Sequence, residues 1–170
     1  MKRTLIIMRH AKSSWDNAAL SDHERPLNAR GHKSAPIVAQ QIAAEGYSPD
    51  CVISSDSTRT RETWDGMLST FPEIDPSFLN SLYLGGLRDI ADAVRTRADS
   101  MQTILALGHN PGFSMSASWL TGEHIMLKTA YAAILQNDTE TWAEAMQRTD
   151  WSLVTVLKPK TGRSDETDSD

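Results

Sequence analysis

Short apolar runs alternate with amphipathic stretches along this chain, and three of those runs end in a polar cluster. Residues 4–8 form the first run. It is continuous, as suits a strand buried on both faces, and Arg9-His10 follows it. Cys51-Val52-Ile53 is the second and ends in Ser54-Ser55-Asp56-Ser57-Thr58. Residues 103–107 are the third and break at Gly108-His109-Asn110-Pro111-Gly112. Residues 32–44 carry Ala35, Ile37, Val38 and Ile42 at helical spacing, with Gly46 as the stop. A second helix is predicted from about Ser57 to Ser69, with Trp64, Met67 and Leu68 inward. A third covers residues 87–98, with Leu87, Ile90, Ala91 and Val94 on one face. A fourth starts at Pro111, a residue suited to a first helical turn, and runs to about Leu120. Residues 78–84, 130–135 and 152–157 read as further strands, with a short helix within 138–147.

Strands alternating with helices imply an α/β domain, here a three-layer α/β/α sandwich. Its central sheet should be mostly parallel with an antiparallel edge strand. In such sheets ligands bind beyond the C-terminal ends of the strands, so the three polar clusters should share one rim. The chain has 170 residues, enough for one core. We expect a single domain over residues 1–158 and a polar tail at 159–170 that buries nothing and is disordered.

A net charge of −5 carries no nucleic-acid footprint. No apolar run is long enough to span a membrane, and the basic-then-apolar start is too short for a secretory signal. A cytoplasmic protein is therefore expected. Cys51 is the single cysteine, so it cannot form an internal disulfide and reads as a small buried hydrophobe. The histidines show no metal-binding spacing, and neither a metal nor another cofactor is predicted.

The chemistry lies on the shared rim. Arg59 should fall in the first turn of the second helix, where free N–H groups favour anions. Arginine's planar fork grips phosphate oxygens two at a time. A neutral imidazole is a competent nucleophile near pH 7. Arg9, His10, Arg59 and His109 together would therefore suit a tetrahedral oxyanion. The arginines would offset the repulsion between nucleophile and phosphate and hold the phosphoryl group in line.

The motif Leu5-Ile6-Ile7-Met8-Arg9-His10-Ala11 resembles the Arg-His-Gly signature of the histidine phosphatase superfamily, which includes the phosphoglycerate mutases. Ser54-Ser55-Asp56-Ser57-Thr58-Arg59-Thr60-Arg61-Glu62-Thr63 is similar to that family's second motif, and Gly108-His109-Asn110-Pro111-Gly112 to its last. Lys12-Ser13-Ser14-Trp15 and Arg25-Pro26-Leu27-Asn28-Ala29-Arg30-Gly31 resemble the SixA-type phosphohistidine phosphatases. The resemblance implies that His10 is the phosphorylated nucleophile and that Arg9, Arg59 and His109 bind the phosphoryl group. It also places Arg25 and Asn110 in substrate binding. Ala11 replaces the commoner glycine, and Asp56 stands where proline is typical. An acid at that position would weaken anion binding unless it points away. No acid occurs in residues 79–86, where many members carry one, and Asn110 follows the second histidine. Cleaving P–N needs less proton donation than cleaving P–O, so this lack leans toward phosphohistidine in a phosphotransfer protein. Asp16, Asp22 or Glu24 could still supply a proton.

The alternatives are a phosphatase of a small phosphorylated metabolite and a non-catalytic module that binds phosphorylated partners. Other readings are plainer. His109 could simply cap the helix after it, and Arg25 could be a salt-bridging loop residue. Arg61, two residues from Arg59, should face solvent. His23, His32 and His124 should lie on the surface. Trp64, Trp119, Trp142 and Trp151 should pack inside, and Trp15 sits beside the site.

Overall fold

The computed structural model describes residues 1–161 and folds them around one six-stranded sheet. The strands are β1 (Lys2–Arg9), β2 (Cys51–Ser55), β3 (Ser77–Leu79), β4 (Thr103–Gly108), β5 (Ala132–Asp138) and β6 (Ser152–Leu157). Their order is β3-β2-β4-β1-β5-β6. The first four of these pair in parallel. β5 runs against both β1 and β6, so antiparallel pairing gathers toward one edge. Most of the tail expected to be disordered lies outside the described residues.

The alternation of side chains along β1 splits the core in two. Leu5 and Ile7 point to one face, and Ile6 and Met8 to the other, all fully buried. The first face is covered by α3 (Leu87–Val94), α4 (Gly112–Thr121) and α5 (Trp142–Ala145), through Ile90, Phe113 and Trp142 among others. The second is covered by α1 (Ala29–Ala44) and α2 (Thr58–Asp65), through Val38, Ile42 and Trp64. This is the expected three-layer arrangement. Cys51 is buried at the start of β2, and burial pushes its thiol pKa up.

Several boundaries differ from the sequence reading. α1 begins three residues early because Asn28 caps it, accepting a hydrogen bond from the Gly31 amide at 2.9 Å. α2 stops at Asp65. Beyond it the amides of Met67 and Leu68 bond three residues back, to Trp64 and Asp65. That tighter winding turns Leu68 out to solvent while Trp64 and Met67 stay buried. The strand expected over residues 78–84 shrinks to β3, and a 3-10 turn at Asn80–Leu82 swings Tyr83 toward the rim. Trp119 is 65% exposed rather than packed, because α4 spends Phe113, Ala117 and Leu120 on the sheet and leaves Met115 and Trp119 outside. Trp64, Trp142 and Trp151 are buried as expected.

One close approach packs the Gly85 loop against α4. A methyl group on Gly112, at the start of α4, would stand 2.0 Å from the Gly85 carbonyl oxygen. Backbone cannot swing aside as a side chain can. Gly112→Ala should therefore lower stability by about 1–3 kcal/mol, as overpacking does. The denaturant midpoint measures this, and an unchanged midpoint would show that the Gly85 loop yields freely.

Candidate active site

Strand register explains why residues so distant in the sequence meet. β1 and β4 pair in parallel with Arg9 opposite Gly108, so both strands end at the same level. The residues that follow are His10 and His109. The His10 amide bonds to the Gly108 carbonyl at 3.0 Å, and the two imidazole centroids lie 5.2 Å apart. β2 pairs with β4 on its other side and delivers Ser55, then the cap Ser57, then Arg59 in the first turn of α2. Arg59 reaches back, its Nε 3.4 Å from His10 Nε2.

Arg9, His10, Trp15, Asp22, Arg25, Arg59, Leu84, His109 and Asn110 line a cleft of about 280 Å³. All six residues expected in the site are among them. The three arginines outnumber Asp22, the one acid among these lining residues, so the cleft favours anions. Arg9, His10, Arg25, Arg59 and His109 are buried.

His10 Nδ1 lies 2.7 Å from the Ala11 carbonyl oxygen. A carbonyl can only accept, so Nδ1 carries the proton and Nε2 keeps its lone pair toward Arg59. His109 Nε2 lies 2.8 Å from Ser55 Oγ, which itself accepts from the Ser57 amide. Ser55 is thus free to donate its hydroxyl proton to Nε2 and leave the His109 proton on Nδ1. That nitrogen is buried and has no hydrogen-bond partner among the described residues. With the proton there, Nδ1 is an unsatisfied buried donor that an entering oxyanion would complete.

Burial, then electrostatic interaction with His10, Arg59 and Arg9, lowers the His109 pKa to about 2, with Asp22 opposing. The folded state therefore keeps His109 neutral at pH values where the unfolded chain takes up a proton, from an ordinary value of 6.5 downward. Stability should fall as pH drops through this range. His109→Asn should lose less stability than wild type between pH 7 and pH 5. Denaturant titrations at both values check this, and equal losses would argue against a neutral buried imidazole.

Asp22 is a proton-source candidate that the structure engages elsewhere. Its carboxylate accepts from Arg59 Nη2 at 3.0 Å, from Arg25 Nε at 3.2 Å and from the Tyr83 hydroxyl. Partial burial pushes its pKa up, but Tyr83, Arg59 and Arg25 more than offset this and bring it to about 2. Asp56 lies away from the cleft lining. It binds His23 Nε2 at 2.8 Å and the Asn80 amide, which outweigh its slight burial and lower its pKa. His23 is half-buried in this network with its ring against Tyr83, not on the open surface as expected. His32 and His124 are exposed. Arg61 is exposed and lies over Phe78.

Arg25 lies with its guanidinium carbon 3.4 Å from the centre of the Trp15 ring, and Nη1 donates to the Ser14 carbonyl. Asn110 lines the cleft, with part of its amide engaged internally. Nδ2 donates to the Leu127 carbonyl at 2.6 Å, and Oδ1 accepts from Ser114 Oγ at 2.6 Å. The same Leu127 carbonyl accepts from Arg9 Nη1. Asn110 thus braces the wall that holds Arg9. Tyr83 and Ser55 escaped the sequence reading. Ser55 sat in a flagged motif, whereas nothing local marks Tyr83.

No group of three or more metal-ligating side chains occurs among the described residues. No helix there is long and apolar enough to cross a membrane.

Residues 5–82 match the sequence profile of the histidine phosphatase superfamily (branch 1). An uncharacterized chloroplastic protein of Arabidopsis thaliana is 37% identical over 94% of this chain and 79% of its own length. A structure from Nakamurella multipartitia that carries the name phosphohistidine phosphatase SixA is 25% identical. It covers 95% of this chain and 98% of its own, with a TM-score of 0.83. A structure of the same name from Agrobacterium tumefaciens, also 25% identical, covers 93% of this chain and 99% of its own with a TM-score of 0.78.

Proposed function

We propose, from the premise that this chain belongs to the histidine phosphatase superfamily and is a phosphatase, that it dephosphorylates phosphohistidine in a phosphotransfer protein of the cytoplasm. The observation that carries this reading is the pair of neighbouring imidazoles in a cleft of three arginines. One of them has its proton fixed on Nδ1 and its Nε2 lone pair beside Arg59.

His10 Nε2 attacks phosphorus, and the substrate P–N bond breaks with its electron pair returning to the leaving imidazole. A substrate imidazole protonated on its other nitrogen departs neutral and needs no further proton. The phosphorylated His10 is in the same position. Its Nδ1–H, held by the Ala11 carbonyl, lets it depart as neutral imidazole when water attacks. The water gives its proton to solvent, and inorganic phosphate leaves. Arg9, Arg59 and the His109 Nδ1–H hold the equatorial oxygens as charge spreads over them, and Arg25 extends the positive wall.

Asp22 supports the choice of a P–N bond. An alkoxide leaving group needs an acid, and a carboxyl held near pKa 2 by Tyr83 and two arginines is a carboxylate at neutral pH. A donor set dominated by guanidinium groups also suits an anion and repels a cation, so the reaction is metal-independent in this reading.

The test is a rate comparison between a phosphohistidine-bearing protein and a panel of phosphate monoesters, with and without EDTA. We expect kcat/KM for phosphohistidine to be at least about tenfold higher, with no effect of the chelator. A preference for monoesters would favour a metabolite phosphatase. Phosphate binding without turnover of any substrate would favour a binding module.

A further inference from the structure

The cleft has two chemically distinct ends. His10 and the arginines form a buried floor, whereas Trp15 is 61% and Leu84 59% exposed although both line the same cleft. Scattered exposed apolar residues are ordinary and carry nothing by exposure alone. These two are held in place. Leu84 has φ of 53°, a left-handed conformation that disfavours a branched side chain, although glycine would adopt it freely. Gly85 and Gly86 follow it, so the loop keeps a leucine at the strained position and glycines beside it. Trp15 is fixed by the buried Arg25 guanidinium stacked on its ring.

In-line displacement places the leaving group on the far side of phosphorus from His10 Nε2, toward the mouth of the cleft. There the wall is an indole face and an isobutyl group. Asn110, the amide of the lining, has its Oδ1 and one Nδ2–H committed to Ser114 and Leu127. Resting on the function proposed above, we propose that Trp15 and Leu84 form the leaving-group subsite. They are two jaws that select a flat, weakly polar leaving group such as imidazole over hydrophilic ones rich in hydroxyl or carboxylate groups.

The test compares wild type, Leu84→Gly and Trp15→Ala on phosphoimidazole and on glycerol phosphate, with inorganic phosphate as a competitive inhibitor. Leu84→Gly relieves the left-handed strain, so a purely structural role predicts unchanged or higher thermal stability and unchanged turnover. The subsite predicts that kcat/KM for phosphoimidazole falls about tenfold while phosphate inhibition by the Leu84→Gly enzyme stays within about twofold. Trp15→Ala should show the same substrate-selective loss, and Trp15→Phe should restore most of it. A wild-type preference for phosphoimidazole that survives both Leu84→Gly and Trp15→Ala would overturn the subsite alone. So would a parallel loss on both substrates. Absence of any wild-type preference for phosphoimidazole would overturn the substrate reading beneath it as well.

Discussion

His10→Ala should reduce turnover of an aryl phosphate by about four orders of magnitude or more, the scale of loss when a nucleophile is deleted. The cleft offers no substitute. His109 is neutral, but its Nε2 is engaged by Ser55 and its ring is buried 5.2 Å away. Asp22 is tied to two arginines. The arginines remain, so the variant should still bind orthovanadate or phosphate. It should also fold, because the His10 ring contributes one side chain at a strand end and not a member of either core cluster. Brief mixing with labelled substrate should leave acid-labile phosphate on wild type and none on the variant. Retained turnover, or label on His10→Ala protein, would remove His10 from the nucleophile's role.

The second large effect is expected at Arg59. Its Nε faces His10 Nε2, while Nη1 and Nη2 meet the backbone carbonyl and carboxylate of Asp22. Arg59→Ala removes a positive charge from the phosphoryl site and also leaves Asp22 less neutralised inside the cleft. Both changes oppose a dianion. We expect kcat/KM to fall about 10²- to 10⁴-fold, mainly through kcat, as for other groups that stabilise transferring phosphoryl charge. Arg59→Lys should recover little, because a point charge cannot face the imidazole and the carboxylate at once. Loss within about threefold for Arg59→Ala would show that Arg9 and Arg25 suffice.

Much of this site could be read from the sequence because its geometry follows from topology. Arg9-His10 and Gly108-His109 each end an apolar run, and parallel pairing of those runs puts the histidines side by side. Arg59 needed only a capped helix start after β2. The connections around Asp22 could not be read in the same way. Its carboxylate meets Arg25, three residues away in a turn, but also Arg59 and Tyr83, which approach from other loops. Tyr83 arrives through a short 3-10 turn whose course depends on the packing of Leu82 and on Gly85 against α4. Asn110 illustrates the converse. Its place in a motif suggests substrate contact, but gives no sign that Ser114 and Leu127 hold its Oδ1 and one Nδ2–H. Periodicity also cannot register a change of helical pitch, so it places Leu68 inward where the tighter winding turns it to solvent.

Mounting both imidazoles on adjacent central strands has a bearing on how the molecule inactivates. β1 and β4 are flanked by hydrogen-bonded neighbours on both sides, and β1 is buried from Arg3 onward. The amides at and just before the two histidines should therefore exchange with deuterium only through global opening, as slowly as the most protected hydrocarbon-packed positions. Heating should erase catalytic competence and sheet structure in one cooperative step.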